Sequence, residues 1–395
     1  MTLLALPVLL VIAAGFGSSV APEPRSAPGS PPSPRGPSPT RSTSAATYAT
    51  TDTVRVYVPN QMGASISVLT GDGALVTSVD LRALGFSAHA MPHQVVAEPD
   101  GSAWYVTLAG DGYVLQFDGA NRLVGRTAVA EPGMIVLDPG RDLLYVSRSL
   151  TSANPMRSLA VLSTTDLSLL EEPDIFIPRP HALAVDTVSG RVYAGSLATN
   201  AIATLDFAAG TVHVTTVAGP PQAFVGLAVS PDGGTLVATT QLTSRLLVFR
   251  TLGQRLDSIA AVAVEELPYD VAYSPDGSSV WFPNQRASAV TRVDTRTWTV
   301  GAVIRDAAFE EPHGVAVSLD GVTVFVSSHG RASGAHEAPA TVEKNDSAGA
   351  GVAAHDMERP RANGTLAVID AVSGRVLRVT EVGPYAAALA IAVVR

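Results

Sequence analysis

Three of the eight histidines in this chain share one spelling. His93, His181 and His313 each follow a proline (Pro92, Pro180, Pro312), and each opens a short apolar run, as in His313-Gly314-Val315-Ala316-Val317. Neutral imidazole is the commonest nitrogen ligand for zinc, copper and nickel, and three or four converging rings suffice for a site. The chain has no cysteine, which excludes thiolate ligation, thiol catalysis and disulfides. A transition metal, copper or zinc, would therefore be held by His93, His181, His313 and His329. Glu337, Glu343, Asp346, Asp356 and Glu358 would supply oxygen ligands or partners. The plainer reading of a Pro-His pair is a rim residue bonded to a neighbouring loop, and residue types alone leave both open. For acid–base work the candidates are His313, Asp270 and Glu311, which equally suit an ordinary hydrated rim. No Gly-rich phosphate loop, Gly-x-Ser-x-Gly elbow or His-Glu-x-x-His helix is present.

Whether these residues meet depends on a repeat. Ser-Pro-Asp-Gly and its variants recur along the chain, each beside a similar apolar run. Aligned copies place His93, Gly133, His181, Val225, Tyr269, His313 and Tyr385 in one column, at intervals of 40, 48, 44, 44, 44 and 72 residues. A period near 44 with strand-like content is the signature of a propeller. Each unit reads as four antiparallel strands: Gly314–Val317, a Pro-Asp-Gly turn, Thr323–Val326, then an alternating strand ending in Asp, then a fourth. One such sheet cannot bury both faces, and radial packing of several hides them. The expected fold is all-β, a seven-bladed propeller of four-stranded blades. Three outer strands from Val54 to Val79 precede every first strand, and the last first strand, Pro384–Val394, has nothing after it. The ends should therefore meet in one blade, with the C-terminus supplying the inner strand.

In that geometry first strands line the central channel, and the loops entering them open on the same face as the loops leaving second strands. The channel mouth would carry His93, His181, Tyr269, His313 and Tyr385, with Arg179, Asp270 and Glu311 nearby. His329 ends the second strand of repeat six. The last interval exceeds 44 by 28 residues, placing an insertion at about 330–363 that carries His336 and His355 on that face. With His89, seven of eight histidines share one side, and His213 lies in an outer strand.

Tyr57-Val58-Pro59-Asn60 and Trp281-Phe282-Pro283-Asn284 look like the Tyr-Val-Thr-Asn repeat. With Ser-Pro-Asp-Gly, they make residues 53–394 resemble the YncE-like, YVTN-repeat (lactonase-like) seven-bladed propellers. That group includes sugar-lactone hydrolases, surface-layer proteins and a DNA-binding periplasmic protein, so the resemblance implies the fold and leaves the activity open. Copper-bearing propellers carry histidines at the channel mouth, and the arrangement is similar in outline.

Leu3–Ala14 is apolar and too short to span a bilayer comfortably, so residues 1–21 read as a signal peptide or signal anchor. Residues 22–50 read as a Pro/Ser-rich linker and 51–395 as the propeller. The protein is expected to be extracytoplasmic and bacterial, with Arg outnumbering Lys 25 to 1. Residues 1–50 carry three Arg and one Glu, so the −9 of the whole chain leaves −11 on the remainder. No window clusters Lys and Arg, and nucleic acid is not an expected partner. Membrane contact would come only through an uncleaved N-terminal segment. The leading expectation is an exported, monomeric binding protein whose channel mouth takes a small ligand, a transition metal or a protein partner, with the insertion as a lid or contact. Alternatives are a lactonase-like or metal-dependent enzyme at the same mouth, and a non-catalytic cell-surface structural protein.

Overall fold

A computed structural model describes residues 53–149, 154–330 and 362–394, within the compact unit Tyr48–Arg395. They form seven four-stranded antiparallel sheets arranged as the blades of a propeller. Numbered along the chain, blades one to six open with inner strands Pro92–Ala97, Pro132–Asp138, Pro180–Asp186, Phe224–Val229, Ala272–Tyr273 and Pro312–Val317. Blade seven combines the ends: Val54–Asn60 pairs with Ser65–Thr70 on one side and with the C-terminal Ala390–Val393 on the other. The expected closure is thus present, with Val56 opposite Ile391.

The repeat builds itself from local chemistry. In Ser274-Pro275-Asp276-Gly277, Gly277 takes φ +70°, and Asp276 accepts bonds from the Ser274 hydroxyl (2.6 Å) and the Ser278 amide (3.0 Å). The aspartates of these turns are structural, and their bonds are met within the turn. Second strands alternate large buried side chains between neighbouring blades. Trp104 stacks on Phe117 at 4.0 Å and meets Tyr57 of blade seven at 5.2 Å, with no surface exposed.

The bridging pattern corrects one alignment. Pro92 bridges Leu108 and Pro312 bridges Ser328, and in blade seven the same bridge joins Asn60 to Ala386. The residue equivalent to His313 is therefore Ala387, two positions beyond Tyr385. Pro384, which suggested the earlier register, instead ends the outer strand Val376–Pro384 of blade six. Tyr385 matches Glu311: both have positive φ (58° and 53°), and their carbonyls accept from Gln61 N and His329 N.

Residues 1–52, with the signal and linker readings, lie outside the described residues, as do His336, His355 and the insertion's acidic side chains. The insertion's flanks are described. A Cβ built on Gly330 would lie 2.4 Å from the Asn363 carbonyl oxygen, so the segment leaves and returns at one point. Excising 331–361 behind a short Gly-Ser link is expected to leave the thermal transition within a few degrees, because short loop closure costs little. A loss of cooperative unfolding in that variant would show that the segment is part of the fold.

Candidate functional site

Two backbone devices aim side chains into the channel mouth. The residue before each bridging position takes positive φ without being glycine: Met91, Glu131, Arg179, Ala223, Leu267, Glu311 and Tyr385. Immediately after the bridging residue the ladder slips, between Pro92 and Val95, Pro180 and Leu183, and Pro312 and Val315. Such bulges re-aim a side chain, and here they turn His93, His181 and His313 inward. Hydroxyls of the second strand take up the freed amides, with Gln94 N on Thr107 Oγ1 (3.2 Å) and Gly314 N on Ser327 Oγ (3.1 Å). The same hydroxyls donate to the next blade, Thr107 to the Gly133 carbonyl (2.7 Å) and Ser327 to that of Ala387. The bulges of adjacent blades are thereby tied together.

The tertiary structure gathers the predicted residues. His93 and His181 lie 5.9 Å apart between ring centroids, although they are two blades apart. Gly133, without a side chain, occupies the same position in the intervening blade. A Cβ there would lie 2.9 Å from Ser147 Oγ. Opposite them a ladder of rings runs Tyr269–His313 (4.1 Å), His313–His329 (4.5 Å) and His329–Tyr385 (3.8 Å). Asp270 Oδ1 accepts from its neighbour Val271 N (2.9 Å), with the Val315 backbone also bonded to the carboxylate. Glu311 stands at the rim with Oε2 3.7 Å from His329 Nδ1. His89 is exposed outside the cluster, and His213 lies on the outer strand Thr211–Thr216.

Sequence reasoning missed three glutamines. Gln61, Gln241 and Gln285 occupy the position of His329, the first residue after a second strand, as the backbone bonds to Tyr385, Ala223, Leu267 and Glu311 show. The signal was present in the column Asn60-Gln61, Thr240-Gln241, Asn284-Gln285 and Ser328-His329. Gln61 Nε2 lies against His93 Nδ1, and Gln285 Nε2 is 3.2 Å from His329 Nδ1. A carboxamide nitrogen only donates, so these two imidazoles accept at Nδ1 and carry their proton on Nε2. His181 Nδ1 has no partner.

Burial keeps the imidazoles neutral. It lowers the pKa of His93 to about 4 and, with the charges of His93 and Arg179 adding, that of His181 to about 3. Burial and the other three histidines hold His313 well below its ordinary value. Asp270, partly buried, is pushed up to about 7 by desolvation. Arg179, whose Nε donates to the Ser149 carbonyl at 3.2 Å, is lowered by burial. Among the described residues no three His, Asp or Glu side chains stand close enough to hold one metal ion. Among the described residues, polar atoms without partners at the mouth include His181 Nδ1, His313 Nδ1 and both amide atoms of Gln241, which is 2 % exposed. The clefts of the opposite face differ. A cavity of about 510 Å³ between blades five and six is lined by Ser274, Asp276 and Asp320, whose bonds are satisfied within their turns.

No family model matches this chain, and no curated protein matches it. Solved structures do. A functionally unknown protein from Desulfotomaculum acetoxidans superposes with TM-score 0.63 at 13 % identity, covering 86 % of this chain and 99 % of that one. A Bacteroides fragilis protein assigned provisionally as a 6-phosphogluconolactonase gives 0.60 at 16 %, covering 87 % and 99 %. Virginiamycin B lyase from Staphylococcus aureus gives 0.58 at 14 %, covering 69 % and 87 %. At these identities the likeness establishes a shared fold, the seven-bladed β-propeller, and nothing about chemistry.

Proposed function

We propose that this protein is an exported binding protein whose histidine-bearing channel mouth takes a small ligand. The observation that carries the reading is the set of unpartnered buried groups there, His181 Nδ1, His313 Nδ1 and the Gln241 amide. A buried polar atom left unsatisfied costs about 1–3 kcal/mol, and a bound molecule would return it. Export rests on the apolar run Leu3–Ala14, and kinship with YVTN-repeat propellers on Tyr57–Asn60 and Trp281–Asn284. A transition metal would use the two bare Nδ1 atoms and draw further ligands from the bound molecule or solvent, since the described residues hold no triad.

The test is recovery of what the protein carries. Purified full-length chain is analysed for metals, and its denatured extract is searched by mass spectrometry for an organic molecule. His181→Ala and His313→Ala are expected to keep the fold and lose the bound species. Protein that carries nothing and takes up neither copper nor zinc would count against a site here. Asp270, with a pKa of about 7 beside Tyr269, supports the enzyme reading as the second choice, because a base poised near neutrality suits hydrolysis. Lactone turnover that disappears in Asp270→Asn would establish it, and an inert lactone panel would remove it.

A further inference from the structure

The groups at the mouth differ in what they offer, and the difference specifies a ligand class. His181 presents an Nδ1 without a partner, an acceptor when the ring proton is on Nε2. His93 presents a donor, because Gln61 occupies its Nδ1 and leaves the proton on Nε2. Gln241 presents both kinds: its Oε1 accepts and its Nε2 donates, and neither has a partner although the residue is 2 % exposed. Its two counterparts at the same blade position, Gln61 and Gln285, turn their amides onto channel-mouth imidazoles. Both reach the following blade, and blade five holds Tyr269 and Gln285 at those positions, so Gln241 meets no imidazole there.

The carboxamide of blade four is therefore held in the mouth with no protein group to satisfy it. A carboxamide pairs best with a second amide edge, where one donor and one acceptor lie side by side and both bonds form at once. We propose that the mouth reads its ligand through a cis-amide edge, a lactam or an equivalent heterocycle. Gln241 pairs with that edge, and His181 Nδ1 accepts from a further donor on the same molecule. This rests on the proposed binding function of the mouth and names its ligand class.

A matched pair of small rings tests it. δ-Valerolactam carries the N–H donor beside its carbonyl, and δ-valerolactone replaces that donor with an oxygen. Binding of each to the full-length protein is followed by ligand-detected NMR and by thermal shift. The lactam is expected to bind saturably, at least about tenfold tighter than the lactone, since a site built for a donor leaves its own acceptor unpaired when the donor is missing. Gln241→Leu is expected to abolish lactam binding while the unliganded protein melts at the same temperature or higher, because a buried unpaired amide has been replaced by an apolar group. Equal binding of lactone and lactam would overturn the amide-edge reading. So would unchanged lactam binding in Gln241→Leu, or absence of lactam binding in the wild type. If the recovered-ligand experiment still yields a species lost in His181→Ala, only the ligand class has failed. If it yields nothing, the binding site itself has failed.

Discussion

A chain ending at Tyr385 is expected not to fold. The missing ten residues supply the inner strand of blade seven. Within them Ala386, Ala387, Ala388, Leu389 and Ala392 are all at most 5 % exposed. Their loss would uncover the edge of Val54–Asn60, whose Val56 and Val58 are fully buried. It would also leave the Ser327 hydroxyl without the Ala387 carbonyl, and blade six without the close contact of Gly314 against Ala388. Burial of Leu389 and four alanines plus several ladder bonds amounts to about 5 kcal/mol or more. That is comparable to the whole net stability of an ordinary domain. The truncated protein should be insoluble or lack a cooperative melt. A soluble truncated chain with the wild-type transition would show that the ring holds without its closing strand.

Lowering the pH from 7 to 5 is expected to destabilise the protein by a few kcal/mol. His93 and His181 titrate in the folded state at about 4 and about 3, below the unfolded value near 6.5. The unfolded chain therefore binds more protons across this window, and stability is complete above about pH 6.5 and lost as pH falls toward the folded values. At pH 5 each of the two costs about 2 kcal/mol. His313 adds in the same direction. Asp270 works the other way. Its folded value of about 7 lies above the unfolded one, so its contribution grows as pH falls and returns about 2.5 kcal/mol at pH 5. The net sign is set by three histidines against one aspartate. Urea unfolding at both pH values measures it. His181→Gln should flatten the dependence and Asp270→Asn should steepen it, while equal stability of the wild type at pH 7 and pH 5 would mean that the imidazoles are solvated.

Both expectations depend on features that differ in how far they could be read in advance. The architecture was legible because it is written in local chemistry repeated seven times. A Pro-Asp-Gly turn needs no distant partner to form, and alternating apolar strands of equal spacing have few other ways to bury both faces. Closure followed from counting, since three outer strands preceded the first inner strand and one inner strand was left over. The one misaligned repeat, at Tyr385, came from trusting Pro384 as a landmark, where the bridge from Asn60 to Ala386 sets the register. Strand pairing, not spelling, defines which residues are equivalent.

The sequence alone determined which residue types reach the channel mouth, because bulge and turn positions recur with the repeat. What it did not hold is how side chains from different blades meet there. His93 approaches His181 across the intervening blade, where the same position is Gly133. Gln61 and Gln285 settle the protons of His93 and His329 from neighbouring blades. Gln241 stays unpartnered where the next blade holds Tyr269 and Gln285 in place of an imidazole. Proton placement, desolvation and an unfilled hydrogen bond are properties of groups distant in the chain and adjacent in space, and only the closed ring brings them together.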